Sequence, residues 1–227
     1  MTQLGATGFV LRGVAVDASA PALAATLAGL ANNQIVEVTG TVSSMGTLVA
    51  TAISVERYAT LSLMGALDAA PGTTLSVLGQ SFGVDSNTRF VDWAQGVRPF
   101  NAGNFAMVLK AGNQVIVSGY PANGSNVATR VERIPTPAAP TAGVEAIVAS
   151  DSAPSDTVSA AGITVTLNSS TRLFYLGAGG MPTLAGFFAA ITPNSSVFAA
   201  LGSPGPAAGA ITAADAAVIR PGARWSH

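Results

Sequence analysis

Cysteine is absent from the 227 residues, so no disulfide staples the fold and the redox compartment stays open. Charge is nearly as scarce. Charged residues make up 9% of the chain, where an average soluble domain has roughly 25%. Lys110 is the only lysine, and the net charge is −1. That argues against nucleic acid as a partner, because phosphate neutralisation needs clustered positive charge. Long apolar runs are missing too: none reaches the roughly 18–20 residues needed to span a bilayer. Met1-Thr2-Gln3 shows neither the basic stretch nor the apolar core of a signal peptide. There is also no catalytic constellation, metal-ligand cluster or phosphate loop, so the expectation is a non-enzyme without metal or cofactor.

What remains is β sequence with a thinly charged surface of Ala, Gly, Ser, Thr and Asn. Such a surface leans toward an extracytoplasmic protein (secreted, periplasmic or at the cell surface) or a self-associating one. Ala111 to Ile134 sets the pattern. Val115, Ile116 and Val117 are β-branched and suit a pleated surface. Asn123-Gly124 is a strong hairpin turn, because both residues tolerate positive φ. The return strand alternates, Val127, Thr129, Val131 and Arg133 on one face and Ala128, Arg130, Glu132 and Ile134 on the other. The same phrase occurs earlier, at Asn33 to Gly40 and Val49 to Ile53, and in degraded form at Asn194 to Ala199 and Ala210 to Ala214. A spacing of roughly 80 residues fits small domains in series rather than a solenoid.

Read in order, each module gives strand, strand, strand, helix or helical turn, strand, strand. That is the order of an OB-fold barrel. The predicted fold is therefore mainly β, with tandem OB-fold-like barrels that each carry one short helix. The boundaries are 1–57, 58–134, a proline-rich linker at 135–142, 143–221, and a tail at 222–227. Thr74 to Val84 and Val158 to Leu167 each read as one long strand, the first with bends at Gly79 and Gly83. Pro21 to Ala31, Phe105 to Leu109 and Pro182 to Ile191 read as helical. The first module has too little sequence before Asp17 for all its opening strands. It is expected to be incomplete and to leave an edge that pairing between subunits completes.

At Thr74 to Gln80, Val84-Asp85, Thr88 and Phe90, then Gln114 to Gly119 and Ala128 to Glu132, the chain resembles a bacterial family, domain of unknown function number 5666. The resemblance is good in the second module, fair in the first and weak in the third. It implies a β-barrel module outside the cytoplasm, and no activity. Trp225-Ser226-His227 resembles the opening of a streptavidin-binding affinity tag, which would make the only histidine foreign.

The ligand-binding candidates are Trp93, Tyr120, Arg89 and Arg130, against a plainer reading as turn, core and surface residues. Asp85 with Thr88, and Asn168 with Thr171, read first as turn caps. Asp68 and Asp92 have no spacing that makes them an acid–base pair. Gly177-Ala178-Gly179-Gly180 lacks the Lys of a phosphate loop, and Asp151 to Asp156 lacks a calcium-ligand ladder. The leading expectation is a structural protein that partners itself or a cell-surface component. The alternative is a module that binds a glycan or peptide on a barrel face.

Overall fold

The computed structural model describes residues 1–11, 13–30, 36–55, 58–122, 125–176 and 182–219. The chain divides into two compact units, Met1–Tyr58 with Ala122–Gly124, and Ala59–Pro121 with Ser125–His227.

The first unit opens with a hairpin of β1 (Gly8–Leu11) and β2 (Val14–Asp17). A 3-10 turn at Pro21–Leu23 runs into α1 (Ala24–Ala28). Proline suits that start, since its missing N–H would have no partner in a first turn. Leu23, Leu27 and Leu30 bury one face of this segment in a cluster with Phe9, Val16 and Ala50. Then come β3 (Val36–Val42) and β4 (Leu48–Val55). The sheet order is β1-β2-β4-β3, with β2 and β4 parallel.

The second unit holds two barrels. One is built from β5 (Leu61–Ala66), β6 (Thr74–Val77), β7 (Gln80–Gly83), β8 (Arg89–Asp92), α2 (Phe105–Val108), β9 (Gln114–Ala122) and β10 (Ser125–Arg133). The other uses β11 (Ala142–Ser152), β12 (Thr157–Ala160), β13 (Ile163–Thr166), β14 (Arg172–Leu176), α3 (Leu184–Ala190), β15 (Val197–Pro204) and β16 (Ala210–Ile219). In the second barrel β11 pairs β12 and β15, β12 pairs β13, and β16 closes the ring against β15 and, in parallel, β13 and β14. The first barrel follows the same order, with Leu67 bridging Val77 where its ring closes. The fold is mainly β, built of small OB-fold-like barrels with one short helix each. β5 and β11 pair antiparallel, Leu61 against Ala146 through Met64 against Gly143, so the two barrels share one sheet. One buried cluster, including Phe82, Leu63, Phe187 and Phe198, runs through both.

Three expectations are corrected. Thr74 to Val84 is a hairpin rather than one strand, turning at Leu78-Gly79 with φ of 54° and 74°. Val158 to Leu167 is likewise a hairpin, turning at Ala161-Gly162 with φ of 51° and 75°. Two successive positive φ values make the two-residue turn that matches strand twist. A leucine and an alanine occupy positions where asparagine would have announced the turn. Leu78 packs into the buried core, and that burial offsets the strain of its backbone. The third correction concerns β10, whose inward set is Ala128, Val131 and Arg133 rather than a strict alternation.

That shift has a common cause. In the first unit the β3–β4 register jumps between Thr39 and Gly40, and in the last barrel the β15–β16 register jumps between Leu201 and Gly202. An extra residue on the longer strand makes a bulge there. A Cβ on Gly40 would lie 2.0 Å from the Val49 carbonyl oxygen, one on Gly202 2.0 Å from that of Thr212, and one on Gly119 2.2 Å from that of Val127. Only glycine fits so close a backbone approach. The small residues Ala50, Ala128 and Ala213 are buried beside these sites.

The turn at Asn123-Gly124, the helix stop at Asn32-Asn33, the glycine loop at 177–180 and the terminal Trp225-Ser226-His227 lie outside the described residues.

Candidate functional site

Three of the four sequence-predicted site residues come together on one barrel. Arg89 on β8 stands opposite Arg130 on β10 in parallel register. The Trp93 indole is 62% exposed, and its Nε1 donates to Glu132 Oε2 at 2.7 Å. Arg130 pairs with the same carboxylate, Nε to Oε1 at 2.8 Å. Glu132 is thus the hub of this patch, and sequence reasoning passed over it. Its place two residues after Arg130 on one strand face was the available clue. Tyr120 stands apart on β9, alternating with Ile116 and Ser118 on the half-buried side of the strand.

The turn residues act as caps. Asp85 Oδ1 accepts from the Asn87 N–H at 2.9 Å, and Thr88 Oγ1 donates to the Ala128 carbonyl at 2.9 Å. Asn168 and Thr171 repeat the arrangement with Ser170 and Ala213. Asp68 accepts from the Ser76 hydroxyl and from the Gly79 N–H, and so fastens the Leu78-Gly79 turn. Asp92 is far more enclosed. It binds Arg133 through Nε at 2.9 Å and Nη2 at 2.5 Å, and accepts backbone N–H groups of Ala94, Gln95 and Val97. The Arg133 guanidinium holds the Asp92 carboxyl well below the usual carboxylate range, helped by the Val97 and Gln95 N–H groups and opposed by burial. A carboxylate so strongly stabilised as the anion is a poor proton shuttle at neutral pH. Asp68 and Asp92 each serve their own turn.

A shallow groove of about 320 Å³ crosses the outer face where the two barrels share their sheet. Ser62, Met64 and Ile116 line it from the first barrel, and Gly143, Leu201 and Phe174 from the second. Phe174 and Leu201 are 46% and 42% exposed, so apolar surface faces solvent here. At one end Arg172 pairs with Asp215, Nη2 to Oδ2 at 2.8 Å.

The first unit offers a different kind of site. β3 hydrogen-bonds β4 on one side, and among the described residues no strand pairs with its other side. On β1, Thr2 and Val10 exchange both backbone hydrogen bonds at 2.9 Å. Of the sheet's two edges, the β1 edge is thus bridged at Val10, and among the described residues the β3 edge has no strand beside it.

Among the described residues no three His, Cys, Asp or Glu side chains gather as metal ligands. No helix among them is long and apolar enough to cross a membrane. A family model described as a domain of unknown function (DUF5666) matches residues 1–54 and 64–132. The chain belongs to this family. The matched stretches take in β1–β4 and most of β5–β10, while β11–β16 lie beyond them. No curated protein and no solved structure matches the chain. In this DUF5666 protein the matched phrase from Thr74 to Phe90 contains the Leu78-Gly79 turn and the Asp85–Thr88 cap. The phrase from Gln114 to Glu132 contains the Gly119 close approach.

Proposed function

We propose that this protein is a non-enzymatic, extracytoplasmic structural protein of tandem β modules that associates, through strand edges, with itself or with a surface component. The open edge of β3 is the observation that carries this reading. A strand edge presents a row of N–H and C=O groups ready to pair with another chain. The chain itself uses such pairing inside the second unit, where β5 and β11 join two barrels edge to edge. Size-exclusion light scattering over a range of concentrations tests the reading, together with fractionation of the cells that produce the protein. A defined oligomer or fibre, in which the β3 amides exchange slowly, is the expected result. A monomer at every concentration with freely exchanging β3 amides would refute it.

The groove with Phe174 and Leu201 supports a second reading, a peptide- or glycan-binding face. Binding that is lost on Phe174→Ser, in a chain with unchanged circular dichroism, would favour it over association.

A further inference from the structure

We propose that the outer edge of β3 is an acceptor site for a short extended segment of another polypeptide. The segment runs antiparallel to β3, is apolar at alternate inward positions, and carries a lysine or arginine opposite Glu37. This rests on the association reading and specifies the partner.

The second unit supplies the template twice. β9 and β15 hold the place in their barrels that β3 holds in the first unit, and the close-approach glycines Gly119, Gly202 and Gly40 fix the alignment. On the outer edge of β9 lies β5, and on that of β15 lies β11, both antiparallel. The registers agree. Leu61 faces Gly119 and Ala142 faces Gly202; Leu63 faces Val117 and Val144 faces Ala200; Met64 faces Ile116 and Glu145 faces Ala199. Leu61, Leu63, Ala142, Val144 and Ala146 all point inward and are buried.

Counting back from Gly40 transfers this register to β3. Donor residues opposite Gly40, Val38 and Val36 point inward, and those opposite Thr39 and Glu37 point outward. The inward requirement is visible in the burial. Val117, covered by β5, is fully buried, whereas its counterpart Val38 is only half-buried. A donor side chain opposite Val38 completes that cover, and its backbone satisfies the β3 edge, as in other strand-addition complexes.

Glu37 sets the charge. It is exposed on β3 and faces Ser54 on β4, so its other neighbour across the sheet is the donor residue. No cation of the described residues pairs with it, and opposite charges directly across a sheet attract. The two barrels of the second unit place Ile116 and Ala199 at this position, where no charge selects a partner.

A dye-labelled peptide copying Leu61–Leu67 with Met64→Lys, flanked by polar residues, is the probe. It is titrated into the full chain, diluted until light scattering shows a monomer, with anisotropy and backbone hydrogen exchange read together. We expect saturable binding, slowed exchange across Val36–Val42, and binding weakened on the order of five-fold when the peptide carries Met64→Glu instead. Glu37→Lys in the protein should invert the preference between the two peptides. Absence of saturable binding, binding without slowed exchange at Val36–Val42, or equal affinity for the two peptides overturns the proposal. If Glu37→Lys fails to fold, the two peptides on the native chain still decide. An oligomer that ignores the peptide while its β3 amides exchange freely keeps the association reading and removes this acceptor site. A monomer that binds it in the expected register does the reverse.

Discussion

Asp92 and Arg133 form the buried ion pair of this chain's first complete barrel, with side chains 1% and 7% exposed. Removing one partner of such a pair leaves an uncompensated charge. Asp92→Ala should therefore cost about 3–5 kcal/mol in urea unfolding. It also strips the acceptor from the Ala94, Gln95 and Val97 N–H groups. Adding Arg133→Met should recover part of the loss, because a matched apolar pair avoids the desolvation of both ions. The same pair gives a pH dependence. Arg133 lowers the folded-state affinity of Asp92 for protons, while the unfolded side chain titrates at about 3.9. The unfolded state thus binds more protons at acidic pH. The contribution is complete above roughly pH 4 and is lost as pH falls through that value toward the lower folded one. Unfolding midpoints at pH 7 and pH 3 should differ more in the native chain than in Asp92→Asn. An equal difference would mean that other carboxylates dominate acid unfolding.

The close approaches at Gly40, Gly119 and Gly202 are where the sequence and the elements meet. The phrases ending at Gly40 and Gly119 look alike in the sequence because both glycines lie against a carbonyl of the next strand. Gly119→Ala should cost at least about 1–3 kcal/mol, since the clash is with backbone and cannot be relieved by a rotamer change. Gly72→Ala is the control: nothing lies within 4 Å of where a Cβ would stand, and stability should hardly move. Equal effects in thermal unfolding would show that the close approach relaxes freely. Strand content and the short helices were legible, because period-two alternation and helical spacing of leucines are local signals. The Asp85–Thr88 and Asn168–Thr171 caps were legible for the same reason. The two hairpin turns were not, because Leu78-Gly79 and Ala161-Gly162 owe their positive φ values to burial and pairing rather than to turn-forming residues. The Asp92–Arg133 pair was hidden as well. It joins positions 41 residues apart, and strict alternation gives no reason for a charged Arg133 to lie in the core.

The two units differ in how fully they close. The first has a four-stranded open sheet over one small cluster, and the second has rings that share a sheet and a core. Small cores bury a smaller fraction of their surface and are less stable. The first unit should therefore unfold at lower denaturant, in a transition separate from that of the second. Trp93 belongs to the second unit, so its fluorescence follows the later transition. Hydrogen exchange over 36–55 reports the earlier one. β5 and β11 lie far apart in sequence, yet the ladder from Leu61–Ala146 to Met64–Gly143 ties them together. Their amides should lose protection at the same denaturant concentration, as expected of one cooperative unit. Val144→Ala, which removes a buried side chain from β11, should then lower protection in β5 and β9 as well as in β15. Loss confined to β11 and β15 would mean that the shared strands join two barrels that unfold independently. Under one cooperative transition the ladder couples both barrels, and a strand added at β3 should move only the earlier transition, raising its midpoint toward the later one.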